Sequence, residues 1–287
     1  MRDADVDTYG IKVGGRLISN LRYADDTALC ADSHADKFLL LNNINEEGKI
    51  KIIKLNSKKT KVMYTIGKGQ YQDIVIDGET LERVDEFIYL GSTKTSNGDC
   101  KPDIVRRIAM GKSKMVDLKN IWKDKDLSYS LKIKIMKVLV WTVMSYGAEG
   151  WTLRSDERKR ILAAEMWCYK RLLNVTHKDR RTNVSILEEL NVERELYGII
   201  VKRKMSYFGH MSRKKNLNLT KTIVQGKPEG KRGKGRPRIS YVDNIKQWTG
   251  LSTQGAFQAT QDREAWRKKT RKAVQAANTL MDEAAKE

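Results

Sequence analysis

The spacing of apolar residues changes near Asp103, and this change constrains the fold. Before that point, apolar and polar residues alternate in short runs around Gly14-Gly15 and Asp77-Gly78, pairs that supply the positive φ angles of tight hairpin turns. After it, apolar residues recur about every 3.6 positions, as on one face of a helix. The pattern predicts an α+β protein in which antiparallel hairpins come first and helices follow.

A second hairpin is predicted around the run Tyr23-Ala24-Asp25-Asp26, with Asp25 and Asp26 at its tip, facing solvent or a cleft. Two adjacent carboxylates repel each other, and a divalent cation bound between them and a polyphosphate relieves the repulsion. Surface turns of no special function also carry such pairs. The pair alone therefore leaves open a metal site and an ordinary turn.

Three blocks of the sequence resemble reverse transcriptases of non-LTR (LINE-type) retrotransposons, in the order that this family has. The run from Leu21 to Ala31 resembles the active-site hairpin. The run from Leu55 to Met63 is similar to the Asn-x-x-Lys-Thr-Lys block that follows it, and the run from Val84 to Gly91 looks like the primer-grip block. The resemblance covers residues 9 to 91 and implies a partial polymerase palm.

This resemblance implies a role for each residue of the first hairpin. Asp25 and Asp26 would be the catalytic carboxylates and would bind Mg²⁺ or Mn²⁺. Tyr23 and Ala24 would form the floor of the active site near the nascent base pair.

The resemblance also assigns roles to the later blocks. Lys59 would assist at the pyrophosphate leaving group, where an ammonium group can donate a proton or neutralise charge. The neighbouring Lys58 leaves open which of the two lysines points inward. The residues that would cradle the primer end are Phe87, Tyr89, Leu90 and Gly91.

In the family, the fingers and a further palm aspartate precede the catalytic hairpin, whereas this chain begins 22 residues before Tyr23. Transfer by two metal ions needs carboxylates from at least two chain segments. Asp3, Asp5 and Asp7 are not followed by the glycine and the glutamate that a calcium loop has at its sixth and twelfth positions, and they are expected in a frayed terminus. We therefore expect the chain alone not to polymerise DNA, and a partner could be the missing amino-terminal part of the polymerase.

The charge balance indicates a polyanionic partner. Lysine and arginine total 56 against 36 acidic residues, a formal net charge of +20, which is typical of proteins that bind nucleic acid. Membrane surfaces and ribosomes are other polyanions. An RNA template, a DNA primer or a duplex is the expected partner. The alternative function is that of a non-enzymatic, basic nucleic-acid-binding protein derived from a retroelement, in which the aspartate hairpin is a relic.

Much of this charge lies between residues 202 and 238, which hold 13 lysines and arginines against the single acid Glu229. Residues 226–239 are rich in glycine and proline and are predicted to be a linker. Gly235-Arg236-Pro237-Arg238 resembles the core of an AT-hook, but a generic phosphate-binding or nuclear-import arm is favoured. The candidate nucleic-acid-binding residues of the arm are Lys231, Arg232, Lys234, Arg236 and Arg238.

Helical periodicity and capping residues predict helices behind Pro102, from Ser128 to Tyr146, after Ser155, from Thr182 and from about Thr260. The first three would form a bundle like a polymerase thumb, with Trp122, Trp141 and Trp167 in its core. The predicted segments are a partial palm (1–100), a thumb-like bundle (101–175), a helical extension (176–225), the linker (226–239) and terminal helices (240–287).

Cys30, Cys100 and Cys168 are odd in number and far apart, a pattern that supports neither a disulfide framework nor a zinc site. No amino-terminal segment has the apolar core of a signal peptide, and no apolar run is long enough to span a bilayer. The sequence thus predicts an intracellular protein, nuclear or cytoplasmic, that is neither secreted nor in a membrane.

Overall fold

The computed structural model describes residues 9–52, 55–65, 72–214, 219–225 and 238–283, with the side chains of residues 279–283 left out. The chain divides into two compact units. The first comprises Met1–Tyr89, Lys94–Gly98 and Asn216–Arg236, and the second comprises Leu90–Thr93, Asp99–Lys215 and Pro237–Glu287.

Strands occur in the first third of the described chain. In chain order they are β1 Ile11–Val13, β2 Arg16–Ile18, β3 Asn20–Tyr23, β4 Asp26–Leu29, β5 Lys61–Val62, β6 Val75–Ile76, β7 Glu79–Thr80, β8 Glu82–Arg83, β9 Glu86–Tyr89 and β10 Ser92–Thr95. Within the described ranges they form two-stranded ladders, which pair β1 with β2, β3 with β4, β5 with β8, β6 with β7 and β9 with β10.

Helices make up most of the remainder. In chain order they are α1 His34–Ile50, α2 Lys101–Asp117, α3 Lys119–Lys123, α4 Tyr129–Met136, α5 Thr142–Met144, α6 Ser155–Leu172, α7 Asn183–Leu190, α8 Leu196–Ser212, α9 Leu219–Val224, α10 Tyr241–Thr249, α11 Thr253–Ala259 and α12 Arg263–Glu283. The prediction of an α+β protein is confirmed.

The turn chemistry of the first unit follows the sequence closely. Gly14 and Gly15 have φ angles of 57° and 76°, and Asp77 and Gly78 have φ angles of 49° and 82°. Two successive positive φ angles define the type I′ turn, whose twist suits an antiparallel hairpin. Both predicted hairpins are therefore confirmed.

The core of the first unit lies under α1. Leu41 of this helix packs with Val62, Ile74, Ile76 and Leu81, which come from the strands and their flanks. The short ladders are thus held on a shared apolar cluster rather than in one wide sheet. The same helix is tied to the β6–β7 turn, because the Asn45 amide donates to both carboxylate oxygens of Asp77 at 3.1 and 3.2 Å.

The helix starts predicted at Pro102, Ser128 and Thr182 are also confirmed. Pro102 lies in the first turn of α2, where its missing N–H costs nothing. The Ser128 hydroxyl caps α4 by accepting from the Leu131 N–H, and Thr182 caps α7 in the same way. The helix from Ser128 continues through a π-helical segment, Lys137–Trp141, and α5 to Met144. Residues Pro237–Glu287 belong to this same unit as α2–α8.

A buried polar cluster joins distant segments of the second unit. The Asn244 amide of α10 accepts from the Leu153 N–H at 2.8 Å and donates to the Leu153 carbonyl at 2.7 Å. The fully buried Lys204 of α8 donates to the carbonyl of Trp151 at 2.6 Å and to Asn244 Oδ1 at 2.8 Å. Every one of these bonds spans at least 40 residues of sequence.

Among the residues with described structure, no helix is both long enough and apolar enough to cross a bilayer.

Candidate metal and nucleic-acid site

The aspartate hairpin forms as the sequence predicts. Strands β3 and β4 pair antiparallel, with Tyr23 opposite Asp26 and Asn20 opposite Leu29. Ala24 and Asp25 form the two-residue turn between them, and both aspartates are exposed to solvent. The structure therefore places Asp25 and Asp26 at a solvent-accessible tip.

The turn is strained at Ala24, whose φ angle is 52°. The left-handed region costs a residue with a Cβ roughly 1–2 kcal/mol, and only glycine enters it freely. Such outliers concentrate at functional sites, where the surroundings hold them in place. The tip therefore keeps a defined backbone conformation at an energetic cost.

The base of the hairpin is anchored, in contrast to its tip. The Cys30 N–H donates to the Ser19 carbonyl at 2.7 Å, which extends the ladder beyond the last strand residues. Leu29 packs against the two buried clusters that contain Leu40 and Leu41 of α1. The apolar end of the hairpin thus fixes the position from which the acidic end projects.

The strand that resembles a primer grip lies beside this hairpin. The Tyr89 hydroxyl donates to the Leu21 carbonyl of β3 at 3.2 Å. Phe87 and Tyr89 share the half-buried face of β9, whereas Ile88 points the other way and is 54% exposed. Burial raises the pKa of Tyr89, and the negative charge of nearby Asp26 raises it further. The first unit thus brings two of the three family-like blocks together.

The turn that follows β9 belongs to the second unit and has its own support. Leu90 and Gly91 have φ angles of 47° and 75°, again a type I′ turn. The guanidinium groups of Arg106 and Arg107 both donate to the Gly91 carbonyl. The Tyr146 hydroxyl donates to the Leu90 carbonyl at 3.4 Å. Leu90 and Gly91 therefore have their backbone held by α2 and by Tyr146.

A buried carboxylate, which sequence reasoning missed, organises the same turn. Asp103 is 2% exposed and accepts from the Thr93 N–H and the Trp151 indole N–H, both at 2.8 Å. Arg106 pairs with it at 3.2 Å. The only signal in the sequence was an acid in the first turn of a helix, which is also the usual place of an exposed one.

Lys59 lies in a compact turn that begins at Asn56. The Asn56 side-chain oxygen accepts from the Lys59 N–H at 3.1 Å, and its carbonyl accepts from the Thr60 N–H at 2.9 Å. This is the turn-forming role that asparagine commonly has. The side chains of Lys58 and Lys59 are both exposed. Across the described ranges, no ion pair joins Lys59 to Asp25 or Asp26.

The residues present fit a metal only in part. Mg²⁺ keeps several waters and is commonly bound by one or two carboxylates together with substrate phosphates, so Asp25 and Asp26 suit one such ion. A second ion would need further ligands. In the part of the chain that the structure describes, no three His, Cys, Asp or Glu side chains cluster as a metal site. The two carboxylates of the hairpin tip are thus too few to hold the two ions of a phosphoryl-transfer site.

The remaining predicted site residues fall mainly in the basic arm. Lys231, Arg232, Lys234 and Arg236 lie outside the described residues, and Arg238 is exposed. Asp3, Asp5 and Asp7 also lie outside them.

The tryptophans divide between core and surface. Trp122 and Trp141 are buried, as predicted, and so is Trp151. The prediction is wrong for Trp167, which is only half-buried. Lys112 and Arg171 lie over its ring, at 5.1 and 5.8 Å from the centroid. Placing Trp167 among basic side chains of α2 and α6 leaves part of its ring accessible, because those charged groups remain in water.

Fold and site together define a basic α+β protein with an exposed pair of aspartates beside a hairpin strand. The chain is similar to an uncharacterized transposon-derived protein of Caenorhabditis elegans, with 27% identity over 247 residues, which cover 82% of this chain and 87% of the relative. No protein-family model matches the chain, and neither does any solved structure.

Proposed function

We propose that this chain derives from the non-LTR reverse transcriptase of a transposon, binds nucleic acid and does not polymerise DNA by itself. A transposon origin is supported by the relative, which is described as transposon-derived. The finer assignment depends on one observation above all. Tyr89 of the primer-grip-like strand contacts the strand that carries Tyr23 to the aspartate tip.

The proposed roles follow from where each group lies. Asp25 and Asp26 bind one Mg²⁺ or Mn²⁺ at the exposed tip, and such an ion would neutralise phosphate charge there. Phe87 and Tyr89 present a half-buried face at which a primer end would pack. Because Asp25 and Asp26 would provide ligands for a single ion, the attacking and leaving oxygens of a phosphoryl transfer would not both be stabilised. Binding without incorporation is therefore the expected behaviour.

Two assays on one RNA–DNA primer-template test this function. Filter binding should show an affinity that falls steeply with salt, because bound phosphates release counterions. Primer extension with Mg²⁺ or Mn²⁺ should show no incorporation. Incorporation that disappears in Asp25→Asn, but persists in the surface control Asp73→Asn, would overturn the claim of inactivity. Absence of binding at low salt would overturn the proposed function as a whole.

The role of the tip separates the proposal from the relic alternative. If Asp25 and Asp26 bind a cation, Mg²⁺ should strengthen duplex binding by the wild type and not by Asp25→Asn. A relic hairpin predicts the same Mg²⁺ response in both proteins. In that case neutralisation of the basic residues from Lys231 to Arg238 should weaken binding, whereas Asp25→Asn should not.

A further inference from the structure

Helices α8 and α12 of the second unit pack closely and run antiparallel. Gly198 near the start of α8 faces Asn278, and Gly209 near its end faces Trp266. A Cβ at Gly209 would lie 2.5 Å from the Trp266 indole nitrogen, so the glycine is required for this approach. The same nitrogen donates to the Met205 carbonyl at 2.9 Å. The end of α8 is thereby fixed against the beginning of α12.

Three arginines meet where these helix ends adjoin. Arg213 directly follows α8, and its guanidinium donates to the Thr260 carbonyl at 3.0 Å, three residues before α12 begins. Arg263 and Arg267 are exposed on α12 and are four residues apart. That spacing places them on one face of the helix, about 6 Å apart along its axis. We call Arg213, Arg263 and Arg267 the arginine cluster.

No carboxylate within the described ranges forms an ion pair with the arginine cluster. The acid nearest in sequence, Asp262, uses its Oδ1 to accept from the N–H groups of Glu264 and Ala265 at 2.9 and 3.0 Å. It therefore caps α12. Burial lowers the pKa of Arg213, and the positive charges of Arg263 and Arg267 lower it further. The cluster holds like charges together, an arrangement that a bound anion would stabilise.

We propose that the arginine cluster binds the backbone phosphates of a nucleic acid. Guanidinium groups recognise phosphate through paired N–H donors and stay charged at any physiological pH. A fixed Arg213 beside two exposed arginines suits successive phosphates of one strand. The cluster lies on folded helices and shares no residue with the basic arm or the aspartate hairpin. The cluster would be a contact surface for the nucleic acid of the proposed function, and this proposal rests on that function.

The test compares two double variants of α12. Arg263→Gln with Arg267→Gln removes two charges from the cluster. Lys268→Gln with Lys272→Gln removes two exposed charges from the opposite side of the same helix. Filter binding of a duplex is measured between about 50 and 200 mM salt. The arginine variant should reduce the slope of log affinity against log salt by about 2, with about a tenfold loss per arginine at about 0.1 M salt.

The control variant should remain close to the wild type in both slope and affinity. Equal losses of duplex affinity in the two variants would overturn the proposed role of the arginine cluster, because any positive charge on α12 would then contribute equally. The proposed function would remain intact. A wild type that does not bind would overturn the proposed function itself.

A third variant separates charge from folding. Arg263→Lys with Arg267→Lys keeps both charges and should retain the wild-type salt slope, although with weaker affinity because lysine cannot form the paired donor contact. If its slope falls as far as that of the glutamine variant, the loss does not follow charge and the proposal is overturned. If the glutamine variant lost as much affinity for polyglutamate as for the duplex, the proposal would likewise be overturned, because the cluster would then bind any anion.

Discussion

Glu165 of α6 provides a sharp test of the energetics of the second unit. Its Oε1 accepts from the N–H groups of Glu195 and Leu196, at 2.7 and 2.9 Å, where α8 begins. Its Oε2 is buried and has no hydrogen-bond partner within the described residues. Burial raises the pKa of Glu165 from 4.5 to about 7, although the two backbone bonds oppose the change. Compared with the unfolded chain, the folded protein therefore favours the protonated carboxyl.

The sign of the pH dependence follows from this raised pKa. The folded state binds the proton more tightly than the unfolded state, so the contribution is complete below pH 4.5 and is lost as the pH rises through about 7. Each pH unit between the two pKa values is worth about 1.4 kcal/mol. Glu165 should therefore cost the wild type about 3 kcal/mol of unfolding free energy above pH 8 relative to pH 4.

The variant Glu165→Gln keeps an oxygen for both backbone N–H groups and removes the titration. We expect it to match the wild type at pH 4 and to exceed it by about 3 kcal/mol at pH 8. Urea unfolding followed by circular dichroism at several pH values measures this difference. Exposed Glu188→Gln on α7 is a control that should leave the pH profile unchanged. A variant less stable than the wild type at pH 8 would show that the ionised carboxylate stabilises α8, and would refute the argument.

Three further changes test other parts of the structure. Burial lowers the pKa of Lys204 from 10.5 to about 7. Its contribution to the free energy of unfolding is therefore fully present above pH 10.5 and is lost as the pH falls through about 7. Lys204→Met should remove a rise in unfolding free energy of up to about 5 kcal/mol between these values, measured by urea unfolding. Ala24→Gly should raise the thermal midpoint by relieving about 1 kcal/mol of backbone strain, and an unchanged or lower midpoint would contradict the strain. Gly209→Ala should destabilise by about 1–3 kcal/mol in thermal unfolding because its Cβ meets Trp266, whereas Gly150→Ala, with open space around it, should not.

Local features of this fold were predictable because short segments determine them. Gly14-Gly15 fixes its hairpin through φ angles that other residues avoid, and Ser128 caps its helix through a bond three residues away. The aspartate hairpin was predictable as well, because its turn lies within four consecutive residues. Its Ala24 conformation was not, because an alanine gives no sign of a positive φ angle.

Features that depend on distant partners could not be predicted. Asp103 and Trp151 are 48 residues apart, and Met205 and Trp266 are 61 residues apart. A single sequence gives the residue types but not which distant side chain meets which. The half-buried position of Trp167 was missed likewise, because helical spacing does not show how deeply a face is covered.

The bonds between Asn244 and Leu153 have a consequence for any shortened form of this protein. A chain cut before Tyr241 would leave the Leu153 peptide groups and the Lys204 side-chain nitrogen without their amide partner, and it would also remove the indole that packs on Gly209. The final helices thus hold the residues that precede them in place. A shortened protein that lacks these helices should therefore misfold.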